Sequence, residues 1–183
     1  AGIRGIGTAA PRHHDALRTL GAEPVDYHDP DLTGTVRRLA PGGLNAVFDH
    51  LGGPSFRRSF RLLAPGGTLV AYGTATQLNG TNNQILTFLA IFCRLSLWNL
   101  SPNRRRALFY NFLGGKHTRP QQFRQHLAAD PTEVVALLAD GSLTSQIAAR
   151  YPLADAGDSM KHAESGTLRG KLILEPPQPV PAR

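Results

Sequence analysis

Asp49-His50-Leu51-Gly52-Gly53 and Tyr72-Gly73-Thr74 are the residues best suited by type to meet a ligand. The first group ends the apolar run Val47-Phe48 in Asp-x-x-Gly-Gly. The second ends the run Thr68-Leu69-Val70-Ala71, which opens from Pro65-Gly66-Gly67. Glycine lets main chain approach a bound group closely. Asp49 beside His50 suggests acid/base work, but neighbours on a strand point to opposite faces. No serine or cysteine is spaced to complete a triad. Asp49 is therefore expected to be structural or to contact a ribose. A third group, Thr8-Ala9-Ala10-Pro11-Arg12-His13-His14, ends a glycine-bearing run in cations rather than an acid. Cations at a helix start oppose its dipole unless an anion joins them, and a guanidinium pairs with phosphate through two bonds. A solvated helix start is the alternative.

The elements that would position these groups alternate in type. Residues 55–63 place Phe56, Phe60 and Leu63 on one helical face. Strand, helix and strand then follow within about thirty residues, the length of a crossover between parallel strands. Further strands are predicted at 2–8 and 24–27, and helices at 11–20 and 29–39. This alternation is the pattern of an α/β doubly wound parallel sheet. Such sheets bind ligands beyond the carboxyl ends of their strands, where all three groups fall. A polar loop is expected over 74–83, then helical pieces at 83–93, 104–113, 121–127 and 131–138. A strand at 146–151, a helix at 152–164 and a strand at 170–174 complete the chain. The expected division is 1–143, 144–175 and a proline-rich tail, 176–183.

Composition narrows the function classes. The chain has 183 residues, 41% of them hydrophobic, and a net charge of +7. The positive charge is almost all arginine, scattered except for Arg104-Arg105-Arg106, with no zinc-finger spacing and no aromatic RNA-binding signature. No nucleic-acid partner is expected. Cys93 is the single cysteine, so no internal disulfide forms. His13, His14, Cys93 and His117 lack metal-ligand spacing, and no metal is expected. The apolar run 85–100 carries Arg94 and falls short of the ~20 residues a membrane span needs. It reads as a buried helix or a partner interface. The opening residues lack a signal-sequence pattern, so cytoplasmic residence is expected.

Gly5-Ile6-Gly7-Thr8-Ala9-Ala10 fits G-x-G-x-x-G/A, with Asp26 near the end of the next strand. One reading is a dinucleotide fingerprint with Asp26 on a ribose hydroxyl. The other is an interior strand of a sheet whose first strand is absent, since only four residues precede Gly5.

Taken in order, Ile6-Gly7-Thr8-Ala9, Leu20-Gly21-Ala22, Val25-Asp26-Tyr27, Phe48 to Gly53, Leu63 to Val70 and Tyr72-Gly73 resemble the medium-chain dehydrogenase/reductase superfamily. Tyr151 to Ala156, His162 and Gly170-Lys171 extend the likeness, which is strongest to the zinc-independent quinone oxidoreductase-like branch. The resemblance implies a Rossmann-like sheet lacking its first strand, with extra C-terminal helices and strands. It implies the C-terminal cofactor-binding part of such an enzyme, with the pyrophosphate turn and catalytic domain on the N-terminal side. NADPH is the implied cofactor. Thr8, Arg12 and His13 would meet its 2′-phosphate, and Tyr27 its adenosine end. His50, Leu51, Gly52, Tyr72, Gly73 and Thr74 would line its nicotinamide-ribose side. Hydride transfer to a quinone or enone and a homodimer are likewise implied. The strands at 146–151 and 170–174 would turn toward the catalytic domain. Catalysis by this portion alone is not expected. Rival readings are an inactive remnant serving in assembly and a methyltransferase using S-adenosylmethionine, the latter from Leu63-Ala64-Pro65-Gly66-Gly67.

Overall fold

A computed structural model describes residues 2–74, 84–111 and 114–177. The chain divides into two compact units, residues 1–112 and 113–183.

In the first unit, β1 (Gly5–Ala9) pairs in parallel with β2 (Ala22–Asp26), joined through a 3-10 turn (Pro11–His13) and α1 (His14–Thr19). Helix α2 (Leu32–Leu39) leads to β3 (Leu44–Asp49), α3 (Pro54–Leu62) and β4 (Leu63–Ala71). Asp31 caps α2, its carboxylate accepting from the Gly34 amide at 3.0 Å. Pro54 starts α3, where its missing N–H costs nothing. The helix buries Phe56, Ser59, Phe60 and Leu62 and turns Arg57, Arg58 and Arg61 outward. That is the face expected from its spacing.

The core of this unit has two parts. Phe56, Phe60, Leu63, Leu69 and Ala71 pack with Ile91, Leu95 and Ala107. Val25, Leu32, Val36 and Leu62 form the other, with Ile6 and Leu44 against it. Burying one such side chain stabilises by roughly 1.5–3 kcal/mol, so the β3-α3-β4 crossover carries much of the unit's stability.

Beyond the undescribed residues 75–83, which hold most of the expected polar loop, α4 (Gln84–Asn99) is followed by β5 (Arg106–Phe109). A helix was expected at 104–113. Instead, Thr68 to Ala71 of β4 pair in parallel with Arg106 to Phe109. The apolar stretch there is too short for its period to distinguish the two, and pairing decides. The Asn99 side chain secures the strand, donating to the Ala107 carbonyl at 2.8 Å and accepting from its amide at 2.7 Å.

The strands form separate parallel sheets, ordered β1-β2 and β3-β4-β5 in the first unit. A doubly wound sheet of strand order 3-2-1-4-5-6 that lacks its first strand would part between its second and fourth strands. The break between β1 and β3 matches that pattern.

In the second unit, α5 (Pro120–Ala139) is one helix that continues through Pro131, where two pieces were expected. Strand β6 (Ile147–Pro152) leads through a 3-10 turn (Leu153–Asp155) and α6 (Ala156–Glu164) to β7 (Lys171–Glu175), which pairs with β6 in parallel. Tyr151 Oη and His162 Nδ1 share a hydrogen bond of 2.9 Å between strand and helix. The end of the proline-rich tail, 178–183, lies outside the described residues.

Candidate functional site

At the carboxyl end of β3 the chain turns through Gly52 and Gly53, both buried, with φ of 85° and 53°. Only glycine adopts that region without strain. Asp49 fixes the turn from within. It is 5% exposed, and one carboxylate oxygen accepts from Ser55 Oγ and Ser59 Oγ, each at 2.7 Å. The other accepts from the Leu51 amide at 2.9 Å. The carboxylate also lies against the first turn of α3, where the helix dipole favours negative charge. Asp49 is thus a structural pin between β3 and α3. Its partners Ser55 and Ser59 were not singled out from the sequence, although their four-residue spacing puts both hydroxyls on one helical face.

The next strand ends beside it. The Tyr72 amide donates to the Asp49 carbonyl at 3.0 Å. Gly73 sits so close that a Cβ there would lie 3.0 Å from the His50 carbonyl oxygen and 3.1 Å from His50 Cβ. The His50 and Tyr72 rings are 5.7 Å apart, tilted by 36°, and both are exposed. The structure therefore brings His50, Leu51, Gly52, Tyr72, Gly73 and Thr74 together at adjacent strand ends. Two aromatic rings stand above closely packed main chain, an arrangement that can seat and orient a flat polar group.

The second group lies on the other sheet of this unit. Strand β1 ends at Ala9, and the 3-10 turn presents an exposed Arg12 and a half-buried His13. His14 turns back, its Nε2 3.1 Å from the Ala9 carbonyl. The Tyr27 amide reaches the same carbonyl at 3.4 Å, joining the ends of β1 and β2. Tyr27 is half exposed, and its ring lies 4.1 Å from that of His28. Thr8, Arg12, His13 and Tyr27 thus share one strand-end neighbourhood.

The fingerprint reading of Gly5 to Ala10 gives way to the strand reading. Gly5 and Gly7 lie within β1 and pair with Ala22 and Pro24. A Cβ on Gly7 would meet the Leu17 side chain at 3.2 Å, so this glycine lets α1 pack closely on the strand. Asp26 serves its own turn, accepting from the His28 amide at 2.9 Å.

A sequence profile of the zinc-binding dehydrogenase family matches residues 20–174. The chain belongs to this family. It therefore falls within the medium-chain dehydrogenase/reductase superfamily of oxidoreductases and corresponds to their C-terminal Rossmann-like, cofactor-binding domain. The mouse synaptic vesicle membrane protein VAT-1 homolog is 29% identical over 177 residues, which are 93% of this chain and 42% of that protein. Its zebrafish (Danio rerio) counterpart is 30% identical over 174 residues, 92% of this chain and 35% of that protein. A solved quinone oxidoreductase of Pseudomonas syringae pv. Tomato DC3000 superposes with a TM-score of 0.66 at 26% identity, covering 96% of this chain and 50% of that one. The chain thus spans half or less of the length of these relatives.

The family's description names zinc, but the described residues do not suit it. Among them, no three histidine, cysteine, aspartate or glutamate side chains come together. No described helix is long and apolar enough to cross a membrane.

Proposed function

We propose that this chain is the cofactor-binding part of an NADPH-dependent reductase acting on a quinone or an enone. The observation that carries the reading is the end of β1. No acid directly follows β1 in the chain, and Asp26, in register with Ala9, accepts from the His28 amide, while Arg12 and His13 follow β1 at once on an exposed turn. A 2′-phosphate in this place receives a bidentate guanidinium from Arg12. Thr8 adds a hydroxyl bond, and Tyr27 offers a ring to the adenosine.

At the other strand ends, the pinned turn holds His50, Leu51 and Gly52 against Tyr72, Gly73 and Thr74. These residues orient the nicotinamide and its ribose and exclude water from one side. The cofactor supplies the hydride; the chain's own residues bind, orient and shield. Relatives support the substrate class. A quinone oxidoreductase shares the fold at 26% identity, and a trans-enoyl reductase of Aspergillus niger is 42% identical over 52 residues, 28% of this chain and 14% of that protein. A mycobacterial protein solved with NADPH shares the fold, with a TM-score of 0.66 at 24% identity. Substrate contacts would come chiefly from residues beyond this domain, in a homodimeric cytoplasmic enzyme.

Calorimetric titration of the chain with NADPH, NADH and S-adenosylmethionine tests the proposal. Saturable binding that favours NADPH is expected. Binding of S-adenosylmethionine alone, or of no nucleotide, overturns it.

A further inference from the structure

The positive charge of this chain is concentrated in one stretch. From His50 to Ala129 there is no aspartate or glutamate, and in the rest of the chain acids outnumber lysine and arginine. Every ion pair among the described residues lies outside it. Arg4–Glu23, Arg18–Asp15 and Arg38–Asp31 come before, Arg150–Glu175 and Lys161–Asp158 after. Asp49, the acid at its border, is buried and engaged with Ser55, Ser59 and the Leu51 amide. Within the first unit the cations of the stretch are all arginines.

The fold gathers them. Phe60 of α3 stacks on Trp98 of α4, the ring centroids 4.7 Å apart and the planes 18° from parallel. Both helices cross between neighbouring parallel strands, so they run in the same direction. Arg57 stands one turn before Phe60, and Arg94 one turn before Trp98. Exposed Arg57 and half-buried Arg94 therefore border one groove beside the stacked rings, with no carboxylate of this unit to separate them.

The turn from α4 into β5 adds two misfits. Arg104 has φ of 59°, the one positive value among the described non-glycine residues, and a side chain holds that region at a cost. Arg105 is half-buried, and its Nε is closed to solvent without a hydrogen-bond partner. A guanidinium that has lost water and gained no partner is where an incoming carboxylate returns most.

We propose that α3, α4 and the turn after α4 form a docking surface for an acidic protein segment, whose carboxylates pair with Arg57, Arg94 and Arg105. The use of arginine favours a protein partner. Protein interfaces enrich arginine and deplete lysine, whereas phosphate backbones and anionic lipids are met by lysine as readily. Trp98 is half-buried and has one ring face on Phe60, which leaves it poorly placed to stack on a base. The proposal stands independently of the cofactor reading.

Fluorescence anisotropy of labelled poly-L-glutamate titrated with the full chain at low salt tests it. Saturable binding is expected. It should weaken about tenfold in Arg57→Gln/Arg94→Gln, and hardly at all in Arg37→Gln/Arg169→Gln, a control of equal charge. If the first variant fails to fold by circular dichroism, Arg57→Lys/Arg94→Lys decides. It keeps the charge and loses the bidentate geometry, so its affinity should still fall, and wild-type affinity defeats the proposal. Equal losses in the two glutamine variants, or no saturable binding, also overturn it. So does tighter binding to duplex DNA or to phosphatidylserine vesicles that Arg57→Gln/Arg94→Gln abolishes, since a phosphate-bearing partner would then occupy this surface.

Discussion

Ser59 Oγ lies 2.7 Å from Asp49 Oδ2, a helix hydroxyl donating to a buried carboxylate at a strand end. Ser55 donates to the same oxygen, so the carboxylate holds α3 and the turn at Gly52-Gly53 together. Asp49→Ala should cost about 2–3 kcal/mol, because it strands donors that have lost water. Ser59→Ala should cost about 1 kcal/mol. Urea unfolding measures both. An unchanged midpoint for Asp49→Ala would remove the pin from the account.

Arg12→Ala should weaken NADPH binding by about 10- to 100-fold, the worth of a charge-assisted bond. NADH binding should hardly change. Calorimetry on the two cofactors separates the cases, and equal losses would dissociate Arg12 from the phosphate.

Two glycines of left-handed conformation should respond differently to alanine. Gly66 has φ of 84° and open space around it, so Gly66→Ala should cost only the backbone term, about 1–2 kcal/mol. Gly43 has φ of 86°, and a Cβ there would lie 2.6 Å from the Ala64 amide nitrogen. Gly43→Ala should therefore lose clearly more stability. Equal urea midpoints for the two variants would contradict the tight approach of this turn to β4.

Acid should weaken the first unit through two half-buried carboxylates. Hydrogen bonding from Arg4 holds Glu23 below the usual glutamate range. The Thr35 hydroxyl, then the Asp31 amide, do the same for Asp29. A carboxyl with a depressed folded pKa contributes stability above its unfolded pKa and loses it as pH falls through the folded one. Stability should decline below about pH 4.5, and less steeply in Glu23→Gln and Asp29→Asn. Thermal melts between pH 7 and 2.5 would show parallel acid limbs if these bonds did not form.

Much of this was legible in the sequence where local pattern and packing agree. Phe56, Phe60 and Leu63 stood on one predicted face, and all three are buried. That Gly5 and Gly7 belong to a strand rather than to a phosphate-binding turn also held, since a strand needs only its neighbour. Residues 106–109 were misread because their state comes from β4, not from their own period. Pro131 predicted a break, but the residues on both sides of it are helical and carry the helix through. The inward turn of Asp49 was foreseen only as one of two roles, because Ser55 and Ser59 become its partners only once α3 folds onto β3. For Arg12 and His13 the sequence supplied the charge, and the fold supplied their place at a strand end.

In every strand pairing among the described residues, a strand joins the next one along the chain. Parallel sheets ordinarily demand at least one long chain closure, the slow step of their folding. Here each strand-crossover-strand unit closes on itself. Each pairing among the described residues can therefore form soon after its second strand emerges during synthesis.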